Sequence, residues 1–379
     1  MAEVPVNGKV LKWARELRGL DLETAAGRLA ISENDLQAYE AGQKKPLIGL
    51  LKKMSSKYRI NFASLLMPEP LREETPPTDH RTRLKKKKLS FPTLVAIEEI
   101  REALEAFEDI SSASRSIVPR PNLGFAKLEE NPEEVAARER RKFGVSSELQ
   151  RSWGTQSKAR LEWRLRIERQ GIFTYMIGLP LSELSGFSLF QDGLAAICVN
   201  DNEFPEGAKT FTLFHEYCHL LLRNTGISDE DNKNQVERFC NRFAASFLIP
   251  KVNLKQAIAT CFGEVNFPYE FSDTEIKCLS RAFHVSNRAM ALRLQETGFA
   301  PDGFYEKRTA PWDRPAEVRV ETRKKTQVSP IRKRIKRLGN LHTATVLHAV
   351  GKKAINSFDA SLLVGLRPEF FPKLAANLR

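Results

Sequence analysis

The chain has 379 residues, 41% hydrophobic and 28% charged, with a formal net charge of +13. That length suits two or three domains. No apolar run approaches the roughly 20 residues that cross a bilayer, so no membrane partner is expected. The opening Met1-Ala2-Glu3-Val4-Pro5 lacks the charged and apolar blocks of a signal peptide, which points to a cytoplasmic protein. The five cysteines, Cys198, Cys218, Cys240, Cys261 and Cys278, are odd in number and show no Cys-x-x-Cys spacing. A disulfide framework and a structural zinc knuckle are therefore not expected, and the thiols read as reduced and mostly buried.

Residues 9–19 read as a helix with Val10, Leu11, Ala14 and Leu17 on one side, and residues 22–29 as a second. Ala30 and Ile31 turn the chain, and Ser32 is placed to cap a third helix running to Glu40. Gly42 and Pro46 mark the next break, after which residues 50–58 and 62–66 supply two more short helices. This five-helix pattern resembles a Xre/Cro-type helix-turn-helix domain. The matching pieces are Trp13-Ala14-Arg15, Ala25-Ala26, Leu29-Ala30-Ile31-Ser32 and Tyr39-Glu40-Ala41-Gly42-Gln43-Lys44-Lys45-Pro46. The resemblance implies a recognition helix over 32–40, yet that segment carries Glu33, Asp35 and Glu40 and no Arg or Lys. Phosphates repel carboxylates, and base edges are read mainly by Arg, Lys, Asn or Gln. Asn34 and Gln37 remain as readers, with Arg15, Arg18, Arg28, Lys44 and Lys45 as phosphate contacts. Charge placement therefore favours recognition of a protein, with DNA as the second partner.

A basic run follows, Arg81-Thr82-Arg83-Leu84-Lys85-Lys86-Lys87-Lys88, in a polar, proline-containing segment without interleaved aromatics. It reads as a linker more than a polyanion site. Residues 95–107 carry a helical apolar stripe, residues 119–132 break it, and residues 132–143 and 159–170 read as further helices. Gly171 begins a different texture. Residues 172–177, 186–190 and 194–200 are short β-rich runs separated by Gly, Pro or Asp, which predicts a small sheet whose edge can hold a peptide strand.

The run Phe211-Thr212-Leu213-Phe214-His215-Glu216-Tyr217-Cys218-His219-Leu220-Leu221-Leu222 contains H-E-x-x-H in a helix-compatible setting. On a helix His215 and His219 share one face, one turn apart, and fill half of a tetrahedral zinc shell. Glu216 then lies beside the open metal position, where a carboxylate can take a proton from activated water. Cys218 points about 100° away from His219 on the helix, so it is not expected as a ligand. A catalytic zinc needs a third protein ligand. Residues 224–234 read as a polar loop. Beyond them Val236, Phe239, Phe243 and Phe247 keep helical spacing until Pro250 stops the pattern. Glu237 and Asn241 sit beside that stripe. A helix packed on the first would aim Glu237 at the metal and leave Asn241 to orient a ligand; taken alone, Glu237 would be a surface carboxylate.

These blocks resemble the ImmA/IrrE-type metallopeptidases. The resemblance lies in Ile197-Cys198-Val199-Asn200, then residues 211–222, then residues 237–250, in that order and spacing. It implies that His215, His219 and Glu237 bind Zn²⁺ and that Glu216 is the catalytic base. It also implies a protein substrate, a transcriptional repressor of helix-turn-helix type, and longer members of the family carry a similar amino-terminal segment.

Residues 273–283 and 286–296 form a further helix pair with Val285-Ser286-Asn287 as turn and cap. His284 at that junction reads as structural, and neither it nor His80, His342 or His348 is assigned to metal. Residues 301–379 hold 17 Lys and Arg against seven Asp and Glu, densest at Ile331-Arg332-Lys333-Arg334-Ile335-Lys336-Arg337. Short helices are expected over 343–350 and 358–366, with the basic run as an anionic-partner surface.

The expected architecture is α+β, mostly α. A helix-turn-helix domain (1–70) is followed by a linker with a helical segment (71–130). A zincin-like metallopeptidase domain with a small sheet (131–300) and a basic C-terminal helical region (301–379) complete it. The expected activity is zinc-dependent endopeptidase cleavage of a regulatory protein. The alternative is a DNA-binding regulator or antitoxin-like interaction protein with a low-turnover zinc site. Composition leaves the oligomeric state open.

Overall fold

The computed structural model describes residues 3–70, 89–113, 117–223, 230–310 and 329–378. The basic run at 81–88 lies outside the described residues. Two compact units result, one containing the described residues up to Glu102 and the other those from Ala103 onward.

In the first unit the chain forms α1 (Gly8–Leu17), α2 (Leu22–Leu29), α3 (Glu33–Glu40) and α4 (Ile48–Tyr58), followed by a 3₁₀ turn at Ala63–Leu66. Side chains of Asn7, Asp21 and Ser32 accept from the first-turn amides of α1, α2 and α3, satisfying donors that a helix start leaves unpaired. The fifth expected helix is only this 3₁₀ turn, because Pro68 and Pro70 follow at once. Leu11, Ala14, Ala26, Leu29, Leu36, Leu51 and Met54 make one core. Two arginines placed in the sequence as phosphate contacts are instead part of that interior. Arg15 binds both carboxylate oxygens of Glu40, at 2.7 and 2.8 Å, and the Leu20 carbonyl. Arg18 is buried and donates to the carbonyls of Tyr58 and Arg59, with burial pulling its pKa down. Neither is available to a nucleic acid in this fold.

Helix α5 (Phe91–Ala113) leads from the first unit into the second. There follow α6 (Pro132–Phe143), α7 (Ser147–Ser152) and α8 (Gln156–Arg169), then β1 (Ile172–Ile177), β2 (Gly186–Gln191) and β3 (Leu194–Asn200). The sheet order is β1-β3-β2, with β3 parallel to β1 and antiparallel to β2. β1 and β3 are buried along their whole length, which is why both read as nearly continuous apolar runs. Next come α9 (Glu206–Leu222), α10 (Glu230–Leu248), α11 (Lys251–Phe262), α12 (Asp273–Phe283), α13 (Asn287–Glu296) and α14 (Phe304–Thr309). Helix α9 packs against β2, β3, α8 and α10, while α8 also packs on β1.

The polar stretch at 224–234, expected as a loop throughout, is helical from Glu230 onward, where α10 begins, and residues 224–229 lie outside the described residues. Pro250 ends α10 and also starts α11, a helix with no strong signal in sequence because only Leu254, Ala257 and Ile258 bury a face. Helix α7 likewise leaves no periodic signal in the sequence, because it is only six residues long and is held by its Ser146 cap. At the C-terminal end lie α15 (Pro330–Leu338), α16 (Asn340–Gly351), α17 (Ser357–Val364) and α18 (Phe371–Ala375). The basic run forms α15, which packs on β1 and sends Lys336 to Asp201 at 2.6 Å. Among the described residues no helix is long and apolar enough to cross a membrane.

Candidate metal centre

Helix α9 is buried almost all round, from Gly207 to Leu221. One side carries Phe214, Tyr217 and Leu221 into an aromatic core. Phe214 stacks on Phe247 of α10 at 4.1 Å, Trp163 of α8 meets Phe214 edge-on at 5.1 Å, and Phe143 of α6 meets Phe247 at 5.2 Å. A buried polar link adds to this, since the Tyr217 hydroxyl donates to the Glu139 carboxylate at 2.9 Å. The C-terminal carbonyls of α10, which have no partner within the helix, are met by cations and an amide. Arg140 donates to the Phe247 carbonyl, Gln150 to Leu248 and Arg293 to Ile249. These contacts fix α10 against α9 in both register and rotation, and register decides which residues of α10 face His215 and His219.

Those residues are Glu237 and Asn241. His215 Nε2 lies 3.0 Å from His219 Nε2 and 3.4 Å from Glu237 Oε2, and His219 Nε2 lies 3.3 Å from Glu237 Oε1. His215, His219 and Glu237 are thus a set of three ligand atoms within mutual reach of one ion. Donors 2.0–2.1 Å from a tetrahedral centre stand about 3.3 Å apart, so the observed separations suit such a centre. Two further features fit a cation. Glu237 Oε1 is buried, and its approach to His219 Nε2 at 3.3 Å is not a well-formed hydrogen bond, a costly state for a carboxylate unless a positive charge sits beside it. His215 Nδ1 is 3.0 Å from Asn241 Oδ1; with the proton assigned to Nδ1, the Nε2 lone pair faces the other two donors.

Electrostatics tell the same story. Burial pushes the Glu237 carboxyl up, but its hydrogen bonds and charge interactions with His215 and His219 outweigh that and hold it at about 2. Burial disfavours the His219 imidazolium, yet Cys240, Glu237 and Glu216 together raise its pKa. A metal ion at this cluster would compete with the proton that the raised His219 pKa favours, because a histidine ligand is neutral.

Glu216 is 97% buried and reaches β2. The strand comes unusually close here. A Cβ on Gly186 would lie 2.6 Å from Thr212 Cγ2 and 3.3 Å from Glu216 Cγ, so only glycine allows β2 to cross α9 at this height. Two residues on, the Ser188 hydroxyl reaches Glu216 Oε2 at 3.1 Å. Nothing in the sequence singled out Ser188. Its nearness to Glu216 depends on strand register and on the Gly186 crossing. Asn200, at the end of β3, is structural: its side chain accepts from the Leu179 amide and donates to the Leu179 and Leu184 carbonyls. His284 is buried with Nε2 at 3.4 Å from the Arg151 carbonyl, and His342 lies between the Tyr175 hydroxyl and the Leu363 carbonyl, so neither joins the cluster.

The sequence of this stretch matches a peptidase family model. It is the IrrE N-terminal-like domain, matched over residues 167–295. The match begins near the end of α8 and ends in α13, so it contains the sheet, α9 and α10 together with the whole His215, His219, Glu237 cluster. It supports an ImmA/IrrE-type peptidase domain in this part of the chain. Comparison with curated proteins gave no match.

Proposed function

We propose that this protein is a zinc-dependent endopeptidase. The observation that carries the reading is the convergence of His215, His219 and Glu237 from two helices, with Glu216 beside them under an edge strand. His215, His219 and Glu237 would hold the ion, as the donor spacing and the buried Glu237 carboxylate suit. When bound, zinc supplies Lewis acidity and lowers the pKa of a water to near neutrality. Glu216 takes the proton from the attacking water and returns it to the leaving amine, a role open to a carboxylate held within hydrogen-bond reach of both. Asn241 orients the His215 ring, and the Ser188 hydroxyl on Glu216 Oε2 fixes the rotation of that carboxylate. The outer edge of β2, which pairs only with β3 among the described strands, offers main-chain groups to an extended peptide.

In this reading residues 131–300 form a zincin-like catalytic domain, and residues 1–70 a helix-turn-helix-like module that selects or positions the substrate. Residues 71–130 connect the two, and residues 301–379 form the basic C-terminal region. The substrate is a cytoplasmic regulatory protein, a transcriptional repressor by the resemblance noted above. The test is zinc-dependent cleavage of a repressor encoded beside this gene, with products identified by mass spectrometry. Cleavage by the wild type and none by Glu216→Gln supports the reading. Sequence-specific DNA binding that persists in Glu216→Gln, without cleavage of any neighbour-encoded protein, would transfer the function to the regulator alternative.

A further inference from the structure

Three of the five cysteines, Cys198, Cys218 and Cys240, are buried at 0–1% exposure, whereas Cys261 and Cys278 are exposed. Cys261 stands at the end of α11 and Cys278 in the middle of α12, and their sulfurs are 3.6 Å apart. We propose that Cys261 and Cys278 are a modification site, a thiol pair that oxidises to an intramolecular disulfide joining α11 to α12.

The geometry asks for little movement. A disulfide sets its sulfurs about 2.05 Å apart, so closure needs an approach of roughly 1.5 Å, within the reach of side-chain torsions. Both helices are well anchored on their other faces, α11 by Leu254, Ala257 and Ile258 and α12 by Ile276, Leu279 and Phe283. The sulfurs are therefore held together rather than meeting by chance. The segment that the bond would enclose is already pinned to the domain: the Tyr269 amide donates to the Phe299 carbonyl, and Phe271 packs on Phe304. A metal role for the pair has less support, since two thiolates are half a tetrahedral shell. Among the described residues the one group of three donors within reach of a common ion is His215, His219 and Glu237.

The oxidant is a small disulfide such as oxidised glutathione. One cysteine, as thiolate, attacks a sulfur of the oxidant; the new bond is a mixed disulfide, and the first small thiolate leaves with the proton the cysteine gave up. The second cysteine attacks the protein sulfur of that mixed disulfide and releases the second small thiol. Two protein thiols are oxidised and one small disulfide is reduced to two thiols. Partial cover and the neighbouring Cys278 thiol push the Cys261 thiol up, against the pull of Arg151, so the exchange accelerates as pH rises.

The test uses the full-length reduced protein, exposed to oxidised glutathione near pH 8.5, quenched with acid and an alkylating agent, and mapped by peptide mass spectrometry without reduction. The expected result is a Cys261–Cys278 linked peptide pair, a loss of two hydrogens from the intact chain and no lasting glutathione adduct. Cys261→Ser should instead keep a stable glutathione adduct on Cys278, because the resolving thiol is gone. Stable adducts on both cysteines of the wild type, disulfides between chains, or thiols that stay unreacted would each overturn the proposal.

Discussion

Replacing Asn241 with alanine tests whether the metal reading is right without touching a ligand. Asn241 Oδ1 is 3.0 Å from His215 Nδ1, and the His215 ring is completely buried. Loss of the amide removes the group that fixes the ring's rotation and its tautomer. A buried donor left unsatisfied costs about 1–3 kcal/mol, and removal of a group that orients a metal-bound histidine weakens metal affinity about 10–100-fold. The two figures agree, because 10–100-fold corresponds to about 1.4–2.8 kcal/mol. Asn241 itself is half-buried, so water can partly replace its oxygen, which favours the lower end, about tenfold. The assay is zinc competition against a chromogenic chelator, with thermal unfolding of the chelator-treated protein as the control for the fold. Asn241→Asp keeps an acceptor and adds charge, so it should hold zinc at least as tightly as the wild type. Wild-type affinity in Asn241→Ala, or equal weakening by alanine and aspartate, would refute the assignment of Asn241 to His215.

Glu216→Gln should retain zinc and the fold yet lower cleavage by about two to four orders of magnitude, the usual worth of general-base catalysis; unchanged cleavage in this variant would point to another base. Glu237→Ala should lose zinc on dialysis against a weak chelator, and full occupancy by elemental analysis would remove that residue from the shell. In the amino-terminal unit, Arg15→Ala leaves the Glu40 carboxylate buried without its partner, at a cost of about 3–5 kcal/mol in denaturant unfolding. The Arg15→Met, Glu40→Leu double variant should recover most of that, and a loss under 1 kcal/mol in the single variant would contradict the buried-pair account. Burial holds the His342 ring down at about 4, against an unfolded value near 6.5. The unfolded chain therefore binds more protons between those values. Stability from keeping this ring neutral is fully present above about pH 6.5 and is lost as pH falls to about 4, amounting to about 3 kcal/mol. His342→Phe should flatten that part of the stability–pH curve, and an unchanged slope would show that other groups set it.

The parts of the fold that were legible from sequence are those with sharp punctuation. Gly171, Pro180 and Asp192-Gly193 bound three apolar runs, and the strands begin where those runs begin. Ser32, Asn131, Ser146, Ser272 and Ser286 all cap helices, and of these Ser32 and Ser286 are legible as caps in the sequence. Helix α9 starts five residues before the apolar run suggests, because Lys209 and Thr210 are buried polar residues, and Lys209 is held by Asp201 and Glu206. Periodicity counts such residues as surface. The pairing of Glu237 with two histidines was readable because each block carries its own pattern and order. By contrast, the Ser188 contact and the Cys261–Cys278 contact are made by residues with no local signature. Three of the five thiols are buried, as expected of most of them, and Cys261 and Cys278 are the two exposed ones.

The amino-terminal unit shows how a charge argument changes when its charges acquire partners. From sequence, α3 presents three carboxylates and Arg15 stands ready for phosphate. In the fold Arg15 and Glu40 neutralise each other inside the unit, which removes one repulsive and one attractive group together. Asp35 is exposed and bonded to Lys44 at 2.6 Å, the lysine holding that carboxyl below its usual range. A surface ion pair of this kind is worth little to stability, but it occupies the lysine most directly placed beside α3. Arg28 lies over the Phe91 ring at 4.2 Å, and Arg18 is spent on carbonyls. Of the five cations expected to touch phosphate, two are interior and two have partners on the unit's surface, leaving Lys45 as the one for which the described contacts show none. Phosphate binding draws its strength from the number of cations that release counterions together. On this ground we propose that the surface around α3, with Lys45 and the Glu33 carboxylate, meets a polar, neutral or basic protein face and not the backbone of a duplex.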